Sequence, residues 1–192
     1  MTTQNDAVHI VAPRSTSTGG ITLHTAHSGD NLAAVQQLCR DYRTFLLDLP
    51  GVSVEVTSMF RPLSRFDALL DTLPTLHARP TGTILLARDT GGTAVGCGMS
   101  HPLDPNTCEI KRVFVSPSAR GKRVAEQLCQ ALVDQAQADG FARVVLDTHT
   151  ELHAAQALYL RMGFTARGPY QPIPDAVLPE LLFFEKPLPS TA

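Results

Sequence analysis

Apolar positions recur with helical spacing in the first half of the chain and with strand spacing in the second. ITLHTA, from Ile21, alternates apolar and polar residues as a half-buried strand does. Asp30 then stands where it can cap a helix carrying Leu32, Val35, Leu38, Cys39, Tyr42, Phe45 and Leu46 on one stripe, closed by Pro50-Gly51. A second helix is expected from about Ser64 to Leu73, with Pro74 as its stop. From Thr81, GTILLARD, a Thr90-Gly91-Gly92 turn and GTAVGCGMS read as a hairpin whose second strand is thinned by Gly96 and Gly98. After a turn at Asp104-Pro105-Asn106, TCEIKRVFV should place Glu109, Lys111, Val113 and Val115 on one face and Ile110, Arg112 and Phe114 on the other. A helix follows from about Gly121 to Ala138, striped by Val124, Leu128, Leu132 and Ala136 and ended by Gly140. The remainder reads as a strand over FARVVLDT, a helix through ELHAAQALYLRM, a proline-interrupted loop and a terminal strand over ELLFFEKPL. This order implies a mixed sheet flanked by helices, α/β or α+β, and excludes all-helical and all-β folds.

Composition narrows the class. The chain has 192 residues, of which 43% are hydrophobic and 18% charged, enough to bury a substantial core without disulfides or metal. Residues 1–19 are polar and rich in Ser, Thr and Gly, and are expected to form a flexible arm before a single domain over 20–192. Cys39, Cys97, Cys108 and Cys129 form no CxxC pair and sit in apolar segments, which suits reduced thiols rather than a zinc site. There is no apolar run of the roughly 18 residues that a membrane span needs, and MTTQNDAVHIVAPR lacks the order of a secretory signal, so the cytoplasm is the expected compartment. The formal charge of −2 argues against a nucleic-acid face. Local charge is another matter, because Lys111, Arg112, Arg120, Lys122 and Arg123 crowd together between residues 111 and 123.

Those cations surround a strand-to-helix turn. In VFVSPSARGKRVAEQL the helix opens at a glycine, and a helix start offers unpaired N–H groups and a partial positive charge, a combination that suits pyrophosphate. Gly121 would admit close backbone approach there. His149 and His153 are four residues apart, but no third ligand is evident and no metal is expected.

About forty residues on, LDTHTELHAAQALYLRMGF supplies a second strand-helix unit. The ordered set of strand, Arg-Gly helix start, strand and A-x-x-L-Y-x-x-x-G-F resembles the GNAT superfamily of N-acetyltransferases. Ala155, Leu158, Tyr159, Gly163 and Phe164 match its last element, and Arg120, Gly121, Val124 and Ala125 match its acetyl-CoA pyrophosphate loop. EIKRVFV, RGKRVAEQL, LDT, ALYLRMGF and GPYQPIP are similar to a bacterial subgroup known only as acetyltransferases. The likeness is strong from about residue 80 to 188 and weak before it. Ser118, Arg123 and Leu152 depart from the family pattern, the last where a pantetheine-contacting Asn is common.

The resemblance implies an acyl-CoA N-acyltransferase fold with a mostly antiparallel central sheet. It also implies direct transfer of an acetyl group from acetyl-CoA, as cosubstrate, to a primary amine of a small molecule or peptide, by a monomer or homodimer. The alternative is a catalytically silent acyl-CoA-binding regulatory module. On the family pattern Arg120, Gly121, Lys122, Arg123, Val124 and Ala125 hold the pyrophosphate. Backbone of Val113, Phe114 and Val115 holds pantetheine and polarises the thioester carbonyl. A primary amine with a pKa near 10 is protonated at neutral pH and must lose a proton before it attacks. Glu109 is the candidate base or else an ion-pair partner of Lys111 or Arg112, and Asp147 is the other carboxylate. Tyr159 would stand beside the departing sulfur as general acid, or pack as a core tyrosine. Tyr42, Arg43, Arg61 and Tyr170 are acceptor-side candidates.

Overall fold

The computed structural model describes residues 20–53, 55–56 and 63–189, so the arm expected over 1–19 lies outside it, as does Arg61. In chain order the elements are β1 (Thr22–Thr25), α1 (Gly29–Leu47), α2 (Leu63–Leu76), β2 (Thr83–Arg88), β3 (Ala94–Asp104), β4 (Thr107–Val115), α3 (Val124–Ala138), β5 (Arg143–His149), α4 (His153–Arg161), β6 (Thr165–Arg167) and β7 (Leu181–Pro187). The strands form one sheet in the order β1-β2-β3-β4-β5-β7-β6. Every neighbouring pair is antiparallel except β4 and β5, which α3 joins as a parallel crossover. This is the mixed, mostly antiparallel sheet expected. β6 is an addition that three residues of unremarkable pattern do not announce. No helix among the described residues is long and apolar enough to cross a membrane.

Each face of the sheet has its own core. Leu128, Leu132, Leu158 and Phe164, from α3 and the α4 region, pack on one face, and Leu38, Phe66, Leu70 and Leu73, from α1 and α2, on the other. Gly96 and Gly98 let α3 press onto β3. A Cβ at these positions would lie 3.2 Å from Val124 Cγ1 and 3.1 Å from Leu132 Cδ1, respectively.

α2 does not stop at Pro74 but runs through it to Leu76. Proline has no N–H to give the Leu70 carbonyl one turn back, and interior proline usually breaks a helix. Here Gln36 of α1 reaches across, and its Nε2 donates to Leu70 O at 3.3 Å. Gln36→Leu should therefore lower the unfolding free energy by about 1–3 kcal/mol in chemical denaturation, by stranding a carbonyl. In a Pro74→Ala background, where the backbone again supplies an N–H, the same change should be nearly neutral.

β4 departs from simple alternation. Cys97 pairs with Phe114 but Met99 with Lys111, so Gly98 faces two residues of β4, and Arg112 takes φ +54 in this bulge. The extra residue reverses side-chain parity beyond it. Cys108, Ile110, Val113 and Val115 pack toward α3, whereas Phe114 packs among the α1 and α2 side chains. Val113 and Val115 thus do not share a face with Glu109, contrary to the alternating pattern. α3 likewise begins at Val124 rather than Gly121, because Gly121 and Arg123 take φ +80 and +59.

Candidate active site

β4 and β5 pair only from Thr107↔Arg143 to Glu109↔Val145, then diverge, although β4 continues to Val115 and β5 to His149. A cleft of about 730 Å³ opens between them. Val113, Phe114 and Val115 form one wall, Asp147 and Thr148 the other, with Tyr42 and Phe45 of α1 and Leu158 and Tyr159 of α4 above and below. Ala119, Arg120, Gly121, Arg123, Val124 and Ala125 close its outer end. The expected pyrophosphate and pantetheine residues are thus brought together, save for Lys122, which is exposed and does not line the cleft.

At the outer end, no atom lies within 4 Å of where a Cβ on Gly121 would sit. The N–H groups of Gly121, Arg123, Val124 and Ala125 have no backbone acceptor among the described residues, so several donors point outward at a helix start. Arg120 stacks its guanidinium 4.9 Å above the Phe45 ring, and Arg123, itself exposed, pairs with Glu126 at 3.1 Å. Along the wall, the Ser116 N–H donates to Val95 O at 2.9 Å. By the two-residue alternation of an antiparallel ladder, Phe114 also bonds to β3, while the N–H group of Val115 points the other way, into the gap left by β5.

The inner end holds two carboxylates bridged by two donors. Glu109 is 1% exposed; Lys111 Nζ lies 2.8 Å from its Oε1 and Tyr170 Oη donates to that oxygen at 2.6 Å. Tyr170 Oη is also 3.0 Å from Asp147 Oδ1, and Lys111 Nζ is 3.4 Å from that atom. Burial, with Asp147 and Glu109 adding to it, drives the Tyr170 phenol far above its ordinary pKa, so it stays protonated. One phenolic proton cannot serve two carboxylates at once. Asp147 lines the cleft and Glu109 does not. Behind Glu109, His101 Nε2 stands 3.2 Å from Oε2, and burial lowers the pKa of His101 below its ordinary value even though Glu109 opposes this. The sequence gives no sign that Tyr170, in an irregular loop, links the two carboxylates, or that His101 backs them.

Tyr159 is 6% exposed, its ring packed against Phe164 and Phe184 at 5.9 and 5.8 Å, and burial raises its phenol pKa well above the ordinary value. Tyr42 packs on Phe114 at 5.4 Å. Leu152 is the N-cap of α4 without a side-chain cap, and His149 Nε2 lies 2.9 Å from Glu180 Oε2. All four cysteines are buried and free.

A sheet that parts around a cleft, with a glycine-opened cationic helix start at one end and a carboxylate pair at the other, is the architecture of acyl-CoA N-acyltransferases. The chain belongs to the acetyltransferase (GNAT) family, whose model matches residues 49–164. It is 42% identical over 122 residues to an IAA acetyltransferase of Azospirillum brasilense, covering 62% of this chain and 76% of that protein. It is also 39% identical over 104 residues to an uncharacterised N-acetyltransferase of Schizosaccharomyces pombe, a match that takes in 53% of this chain and 64% of the yeast protein. The fold is similar to that of a phosphinothricin acetyltransferase from Sinorhizobium meliloti solved with acetyl-CoA, with TM-score 0.64 and 20% identity over 88% of this chain and 89% of that one.

Proposed function

We propose that this protein is an acetyl-CoA-dependent N-acetyltransferase that passes an acetyl group directly to a primary amine while both substrates are bound. The observation that carries this reading is the parting of β4 and β5 beyond Glu109 and Val145, with phosphate-suited donors at one end of the gap and Asp147 at the other. The residues present suit the cosubstrate. Gly121 leaves an open cradle, the helix-start N–H groups and Arg120 and Arg123 complement phosphate, and the N–H group of Val115 suits an extended amide arm. Acetyl-CoA supplies the activated carbonyl.

The chain's own groups handle the protons. Asp147 takes one from the ammonium, and passing it to Tyr170 lets the phenol deliver its own proton to Glu109 Oε1. Glu109 is on this reading the terminal base, reached through Asp147 and Tyr170. An N–C bond forms, the C–S bond breaks, the Val115 N–H group stabilises the carbonyl oxygen, and Tyr159 protonates the departing sulfur and is reprotonated by the second proton that the nitrogen sheds on becoming the amide. Each ammonium consumed gives one amide, one thiol and one proton released to solvent.

The test is calorimetric binding of acetyl-CoA together with release of free CoA thiol across amines, amino acids, polyamines, aminoglycosides and peptides. Tight binding without thiol release from any of them would overturn transfer in favour of a binding module. On an accepted amine, Asp147→Asn should cut the rate at neutral pH by about 10²–10⁴, and Glu109→Gln by less. Both should recover as pH rises toward the amine's own pKa near 10, where the amine sheds its proton unaided. Neutral-pH rates unchanged in both variants would remove the carboxylate chain from the mechanism.

A further inference from the structure

The cations at the inner end of the cleft are not treated alike. Lys111 is held by Glu109 and Asp147 at 2.8 and 3.4 Å. Arg112, which unlike Lys111 lines the cleft, is half-buried, yet no carboxylate of the described residues lies within 4.0 Å of it. Its guanidinium makes a single weak approach, from Nη1 to Met99 Sδ at 4.0 Å. Removing a charge from water without a partner is unfavourable. The same residue occupies a left-handed bulge at φ +54, where glycine would sit without strain. Two unfavourable features thus meet in one side chain at the cleft, the pattern expected where strain is retained for use.

Arg112 and Asp147 face the same compartment. Tyr42, half-buried, lines the same cleft, and the pKa of its phenol is raised by burial and then by Asp147 and lowered by Arg112. A guanidinium offers a planar fork of donors matched to a carboxylate, and Asp147 offers the complement of an ammonium group. We propose that Arg112 holds the carboxylate of the acceptor, whose ammonium group lies at Asp147, so that the substrate amine belongs to an amino carboxylic acid. This assignment rests on the transferase reading above. Such a zwitterion would satisfy both charges, whereas a polyamine would set a second cation against Arg112 and a simple amine would leave the guanidinium unpaired.

The test uses thiol release with matched probes: the common amino acids, β-alanine and 4-aminobutyrate, each beside its amide. At least one free acid should exceed its amide by about 10- to 100-fold in kcat/KM, the range of a charge-assisted hydrogen bond. In Arg112→Gly that ratio should fall to near one, and in Arg112→Lys it should be intermediate. Because glycine takes φ +54 without a Cβ penalty, the Arg112→Gly protein should melt no lower than the wild type, which separates lost recognition from lost folding. Amides as good as acids in the wild type, or a ratio that survives Arg112→Gly, would overturn the assignment alone. Acetyl-CoA binding with no thiol release from any probe, including simple amines, would overturn the transferase reading and this assignment with it.

Discussion

Turnover of Tyr159→Phe is expected to fall by about 10²–10⁴ with acetyl-CoA binding nearly intact, the range for a positioned proton donor. The expectation follows from what the change leaves alone. The ring is wedged between Phe164 and Phe184, and phenylalanine fills that space without disturbing it. Burial holds the phenol protonated at every pH of interest, so its proton is present when negative charge collects on the sulfur. On the proposed mechanism, donation from this buried phenol would stabilise that charge. The measurement is single-turnover thiol release at saturating acceptor, alongside calorimetry and a thermal melt. An unchanged chemical step with a lowered melting temperature would make Tyr159 a packing residue.

The second large effect concerns the cofactor. Gly121→Glu should weaken acetyl-CoA binding by about 100-fold or more, since a carboxylate placed among phosphate oxygens adds like-charge repulsion and fills the cradle. The protein itself should tolerate the change better than the ligand does. No atom lies within 4 Å of the new Cβ, so the folded chain meets only the left-handed strain at φ +80. Gly121→Ala carries that strain without the charge and should show a small fraction of the loss. Lys122→Ala should show little, because Lys122 is exposed and away from the cleft wall. Wild-type affinity should also decline with ionic strength, as contacts to partly exposed phosphates are screened. Unchanged affinity in Gly121→Glu would place the cosubstrate elsewhere.

Much of this arrangement is legible in the residues. The stripes of α1 and α3, the turn at Gly121 and the A-x-x-L-Y-x-x-x-G-F helix follow from spacing, because each depends on neighbours a few positions away. What escapes the pattern depends on distant partners. Pro74 reads as a stop because its missing N–H is local information, while Gln36, which makes good that loss, is on another helix. The bulge at Arg112 is hidden because left-handed backbone is announced by glycine, and here the glycine, Gly98, lies on the opposite strand. Glu109 is recognisable as a candidate base, but its concealment behind Tyr170 is not, since the loop that delivers the phenol has no periodicity to place it.

The bulge makes β4 a strand on which the backbone of one residue decides the face of the next three. If all nine residues from Thr107 to Val115 alternated plainly, Val113 and Val115 would leave the α3 face and Phe114 would leave Tyr42 and Phe45, as any one-residue slip exchanges the two sides of a sheet. Deleting Arg112 would instead leave Gly98 facing Val113 alone, with every side chain beyond it on the face it now occupies. Redesign of this cleft must therefore either keep at 112 a residue that accepts left-handed backbone or remove that position altogether.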